Sequence, residues 1–131
     1  MERPTEGLIT LPKYGSILAS EISDYAISDQ LEICSHVLGL ANSEMASLLN
    51  KTELELTGFL TQTRRGRTPL TLRHLSQVTS FLLGLTGSIE YTKKYFDHPL
   101  EPEANNPITF RGLFSQGKTK KAIQYIQELS A

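Results

Sequence analysis

From residue 28 onward the apolar positions recur at helical spacing, broken by small polar or glycine residues at regular intervals. Ser28 can cap a first helix in which Leu31, Cys34, Val37 and Leu38 form one stripe at i, i+3, i+6 and i+7, stopped by Gly39. Asn42 or Ser43 caps a second helix with Met45, Ala46, Leu48 and Leu49 inward, and Asn50 can take the left-handed conformation that ends it. Thr52 caps a third, with Glu53 and Glu55 in its first turns, where the helix dipole favours acids, and Leu56, Phe59 and Leu60 inward. Pro69 suits the start of a long helix carrying Leu72, Leu75, Val78, Thr79 and Leu82, which Gly84 and Gly87 terminate. Ser88 caps a helix with Ile89, Thr92, Tyr95 and Phe96, closed by Asp97, His98 and Pro99. Asn106 and Pro107 signal a short helix, ITFRGLF, broken by Gly117. KTKKAIQYIQEL is the last, with Ala122, Ile123, Ile126 and Leu129 inward.

Before this pattern, residues 1–14 read as a mobile arm or a short extended segment, and Ile17 to Tyr25 as one or two helical turns. No stretch of period two is long enough to argue for a sheet. The predicted fold class is all-α with about seven helices. It divides into an N-terminal arm over 1–27, a helix-turn-helix-like unit with a basic loop over 28–69, and a C-terminal helical unit over 70–131.

Composition narrows the setting. A chain of 131 residues with 39% hydrophobic content suits one compact domain, or two small subdomains sharing a core. Its single cysteine, Cys34, excludes an internal disulfide framework and fits a reducing compartment. No apolar run approaches the length of a membrane span, and the first residues lack the basic-then-apolar pattern of a signal peptide, so a cytoplasmic protein is expected. A net charge of −1 gives no global attraction to a polyanion, so any nucleic-acid affinity must come from a local patch.

The segment 30–60 has the residues that a helix-turn-helix requires. Ala46 is small where two helices cross, Asn50 tolerates positive φ in the turn, and Leu56 and Phe59 anchor the third helix. Its outward residues, Thr52, Glu53, Leu54, Thr57 and Gly58, are poor in the donors that read base edges, and phosphate repels Glu53 and Glu55. Lys51 with Arg64, Arg65, Arg67 and Arg73 supplies the local positive field, able to clamp a backbone without reading sequence. The candidate DNA contacts are therefore Lys51, Thr52, Thr57, Arg64, Arg65, Arg67 and Arg73.

Signals for chemistry are weak. Cys34 lies on an apolar stripe, and His36, His74 and His98 are far apart without ligand spacing, so no metal and no catalytic set is expected. The string GLFSQGKT at 112–119 matches the phosphate-loop pattern GxxxxGK[ST] letter for letter. It lacks the preceding strand and the β-α-β frame that make such a loop work, and no cofactor is expected.

The second half, VTSFLLGLTGSIEYTKKYFDHPLEPEANNPITFRGLFSQGKTKKAIQYIQEL, combines a long helix, a short helix ending in an aromatic pair, a proline loop and a terminal helical pair. Over residues 28–129 the chain resembles Xre-type antitoxins, in which a helix-turn-helix precedes a small toxin-binding domain. Their partners are RES-domain toxins that destroy NAD. The resemblance implies a non-enzymatic homodimer, or higher oligomer, that represses its own operon through operator DNA and covers the toxin's NAD site. On that pattern Tyr95 and Phe96 stand for the family's aromatic position, and Asn105, Asn106 and Pro107 for its loop. Arg111, Lys118, Lys120 and Lys121 form a basic edge available to an acidic partner.

Two other readings remain open from the residues. One is a helix-turn-helix transcriptional regulator outside any toxin system. The other is a non-enzymatic helical adaptor that uses the helix-turn-helix as a protein interface.

Overall fold

The computed structural model describes residues 9–11, 15–17, 19–61, 68–100 and 108–130. Seven α-helices run through them: α1 (Ile27–Leu38), α2 (Asn42–Leu48), α3 (Glu53–Leu60), α4 (Leu70–Thr86), α5 (Ile89–Phe96), α6 (Phe110–Ser115) and α7 (Thr119–Ser130). A 3-10 helix, Ala19–Asp24, precedes them. The expectation of a helical chain with about seven helices holds. The N-terminal segment adds something the periodicity did not show, an antiparallel pair of three-residue strands, β1 (Ile9–Leu11) and β2 (Gly15–Ile17), with Ile9 opposite Ile17. Three residues are too few for alternation to register as a pattern.

The longest helix, α4, is the organising element. The 3-10 helix, α1, α5 and α7 all pack on it, while α2 and α3 pack on each other and reach the rest through α1 and α6. One contiguous apolar core results, running from Ile22 through Leu31, Val37, Met45, Leu56, Leu75, Leu82, Phe96, Phe110 and Phe114 to Ile126. Gln30 crosses this core as a buried amide. Its Nε2 donates to the Tyr25 carbonyl at 2.8 Å and to Thr68 Oγ1 at 3.2 Å, and its Oε1 accepts from Ser76 Oγ at 2.9 Å. The amide thus ties α1 to α4 and to the segments leading into both helices.

Several caps fall where the residue types put them. Thr52 accepts from the Glu55 amide while Glu55 Oε1 accepts from the Thr52 amide, a reciprocal capping box. Ser88 accepts from the Tyr91 amide, and Asn50 has φ +56°. Others differ. Ser28 lies inside α1, buried, and the residue preceding that helix is Ala26. Neither Asn42 nor Ser43 caps α2. Ala41 precedes it, its amide held by Glu44 Oε1 at 3.0 Å.

Gly84 lies within α4, which continues to Thr86, because burial of Leu82 and Leu83 against neighbouring helices outweighs one unfavourable residue. The sixth helix begins at Phe110 with Thr109 as its cap. Asn106 and Pro107, read as its start, lie outside the described residues. In α7, Ala122 and Ile126 are buried and Ile123 partly so, but Leu129 is 57% exposed, one turn past the packed part of the helix.

Candidate functional site

The turn between α2 and α3 is built by two helix ends. The Asn50 amide donates to the Ser47 carbonyl and the Lys51 amide to Ala46, the paired bonds of a Schellman motif that closes α2 and aims the chain into α3. Ala46, Leu49 and Leu56 are buried at the crossing and Phe59 is half-buried; the Leu60 side chain lies outside the described residues. On the outer side of α3, Leu54 is 83% exposed. The Thr52 hydroxyl is committed to the cap and the Thr57 hydroxyl donates to the Glu53 carbonyl at 3.0 Å. The Thr52 amide holds the Glu55 carboxyl below its ordinary value, with Lys51 adding to the effect, so this face carries fixed negative charge at neutral pH.

Of the other candidate DNA contacts, Arg64, Arg65 and Arg67 lie outside the described residues. Lys51 is exposed, its ammonium 6.0 Å from the Phe59 ring centre, and Arg73 is exposed in the first turn of α4. The structure brings these two toward residues assigned to the other half. Asn50 Nδ2 donates to the Phe114 carbonyl at 3.4 Å, which sets the turn between α2 and α3 against the α6–α7 junction. His74 Nδ1 and Thr119 Oγ1 are 2.7 Å apart, and both Arg73 and Lys120 depress the His74 pKa, after the larger effect of burial. Asn50 and His74 therefore meet one junction, with Lys51 and Lys118 next in sequence to the residues that touch there and Arg73 and Lys120 close to His74.

That junction is the literal phosphate-loop string, and its backbone has another use. The Lys118 amide donates to Leu113 at 2.8 Å and the Gly117 amide to Phe114 at 3.0 Å, with Gly117 at φ +73°. This is a second Schellman motif, closing α6. Both amides point into their own helix, not outward as a phosphate cradle requires. Thr119, where the pattern puts a cation-binding hydroxyl, is buried against His74.

In α5 the aromatic pair divides. Phe96 is fully buried, 6.3 Å from Phe114 between ring centres, so only Tyr95 of the two is exposed. Tyr91 is 55% and Tyr95 47% exposed; with Lys94 and His98 they line a hollow of about 190 Å3. The Tyr95 and His98 rings meet edge to face at 6.3 Å, and the Lys94 ammonium lies 5.4 Å from the Tyr91 ring centre. Tyr91, Lys94 and His98 were not among the sequence candidates. Tyr91, Lys94 and Tyr95, at i, i+3 and i+4, follow the same one-face rule that finds core stripes, and it could have found them; His98 lies two residues past the end of α5.

Arg111 is engaged within the chain. Its Nε and Nη2 fork onto the two oxygens of Asp97, its Nη1 donates to Glu44 Oε2 at 3.2 Å, and its guanidinium carbon lies 5.7 Å from the Phe96 ring centre. The hydrogen bond to Asp97 holds its pKa above the ordinary value. Beside it, Ser43, Glu44, Ser47, Leu48 and Ser115 line a shallow groove between α2 and α6. Asn105 and Asn106 lie outside the described residues.

Cys34 is buried, its thiol pushed up to about 11 by desolvation. Among the described residues no three His, Cys, Asp or Glu side chains are placed to hold a metal ion, and no helix is long and apolar enough to cross a membrane. No protein-family model, curated protein or solved structure matches the chain.

Proposed function

We propose that this chain is a cytoplasmic, non-enzymatic antitoxin that neutralises a RES-type protein toxin by direct binding, through a surface centred on α5. The observation that carries this reading is the division of labour between the two exposed helix faces. The α5 face offers Tyr91 and Tyr95 half out of the protein, a residue type enriched at protein interfaces, beside the exposed Lys94. The α3 face, where a DNA reader needs donors, offers Glu53, Leu54 and Glu55.

Co-expression with the product of the neighbouring gene tests the proposal. The expected result is a complex that survives purification at high salt, retained cellular NAD, and loss of both when Tyr91 and Tyr95 are changed to alanine. Failure to bind any RES-domain protein, with steeply salt-dependent retention on duplex DNA, would reject it.

A second reading has one observation of its own. Lys51, Arg73, Lys118 and Lys120 lie next to residues that meet at a single junction beside the turn between α2 and α3, a placement suited to phosphate contacts that position a duplex without reading it. In that reading operator binding is additional to partner binding, and the charge-removing changes K51A and K118A would lower duplex affinity uniformly across sequences.

A further inference from the structure

The hollow on α5 has a chemistry that specifies its occupant more closely than the partner-binding reading on which this inference rests. Its size is the first constraint. About 190 Å3 is the share of roughly six water molecules, below the ~300–1,000 Å3 of pockets that hold free small molecules. It is open to solvent and has room for one side chain of a larger body.

Its lining is the second. Tyr91, Lys94, Tyr95 and His98 present two phenol hydroxyls, an ammonium and an imidazole, all able to donate, around aromatic faces, and among the described residues no carboxylate lines the space. Glu90 meets Lys94 at 3.8 Å with both side chains largely exposed, an i,i+4 contact weak enough to be exchanged for a better partner. Thr92 and Phe96, on the opposite side of the helix, are buried, so Tyr91, Lys94 and Tyr95 are held on a helix fixed to the core, and His98 follows two residues past its end.

We infer that this hollow receives an aromatic or long aliphatic side chain from an acidic segment of a partner protein, whose flanking carboxylate takes Lys94 and the phenols. Apolar filling alone would be unselective. The donors convert it into a site that favours an apolar residue next to Asp or Glu and disfavours one next to Lys or Arg.

The test is a titration of the full chain, followed by NMR at the Tyr91, Tyr95 and His98 rings, with the synthetic peptide Asp-Glu-Phe-Glu-Asp. Controls are its amide counterpart Asn-Gln-Phe-Gln-Asn, the acidic peptide with alanine for phenylalanine, and a short oligothymidylate. The expected outcome is a shift at all three rings with the first peptide, about tenfold weaker binding of either peptide control, and loss on K94E in a chain of unchanged melting temperature. Equal binding of the amide peptide, tighter binding of the oligonucleotide at these rings, or no shift with any probe overturns the inference. The toxin complex separates the two claims. A complex that persists in the K94E chain leaves the antitoxin reading standing and removes this hollow from it. Peptide shifts in a chain that binds no RES toxin leave the hollow's specificity standing and remove that toxin.

Discussion

Arg111 of α6 donates from Nη1 to Glu44 Oε2 of α2 at 3.2 Å, across 67 positions of sequence, while its other edge is forked on Asp97 at the end of α5. One guanidinium therefore joins α2 to both helices that flank the proline-rich segment. Arg111→Ala should cost about 1–2 kcal/mol, because the fork and the stacking on Phe96 are partly shielded, whereas Glu44→Gln should cost about 0.5 kcal/mol or less. Urea midpoints for the two single changes and the double change give the coupling directly; a coupling of zero would mean that the contact with Glu44 contributes nothing.

Tyr95 and Phe96 are neighbours in sequence with opposite fates. Phe96→Ala removes a fully buried ring and should destabilise the fold by about 3–5 kcal/mol. Tyr95→Ala should change stability by about 0.5 kcal/mol or less, as surface substitutions do. Thermal melts of both variants check this, and a large loss for Tyr95→Ala would show that its ring supports the core.

Asn50 holds φ +56° and bonds the Phe114 carbonyl. Asn50→Val should cost about 2 kcal/mol, combining left-handed strain with the lost bond, and Asn50→Gly less, since glycine takes this conformation without strain. Chemical denaturation of the pair separates backbone from side chain; equal losses would place the whole effect in the hydrogen bond.

Burial lowers the His74 pKa, with Arg73 and Lys120 acting in the same direction. The unfolded chain then binds this proton more readily than the folded one. Stability linked to His74 is therefore fully present above its unfolded value near 6.5 and declines as pH falls through that value toward the folded one. Glu55, whose pKa is lowered, loses its contribution only at more acidic pH, below its ordinary 4.5. Melting temperatures should fall between pH 7 and pH 5 and do so less in His74→Gln, which keeps a hydrogen-bonding group facing Thr119. An identical slope in the variant would assign the loss elsewhere.

Cys34 has a thiol pushed up to about 11 inside the core. Alkylation at mildly alkaline pH should be negligible in the native chain and complete in denaturant, because the thiolate is the nucleophile. Rapid modification without denaturant would show that α1 opens from α4 locally.

What could be read from the chain in advance follows the range of the interactions concerned. The Thr52 and Ser88 caps and the Asn50 turn depend on residues three or four apart, and the residue types there admit few alternatives. Ser28 and Asn42 carry the same chemistry, but they sit inside helices that Ala26 and Ala41 precede, because packing moved each start by one or two positions. Gly84 was overruled by burial on either side of it. The role of Arg111 was not legible, since Glu44 and Asp97 become its partners only after the chain has folded. The α5 hollow was legible in its spacing, yet an aromatic at such a position normally belongs to the core, and Phe96 does.

The buried Gln30 amide has a consequence for how many arrangements the core can take. Leucine and valine side chains are interchangeable over small displacements, so a purely aliphatic seam between α1 and α4 would tolerate several rotations of one helix against the other. Gln30 contacts Tyr25, Thr68 and Ser76 through both ends of its amide. Turning α4 by a single residue would carry Ser76, and Thr68 that leads into the helix, away from the amide and leave buried polar groups unpaired, at about 1–3 kcal/mol for each. The amide works as a key cut for one azimuth, and it is by that azimuth that His74 comes to face Thr119.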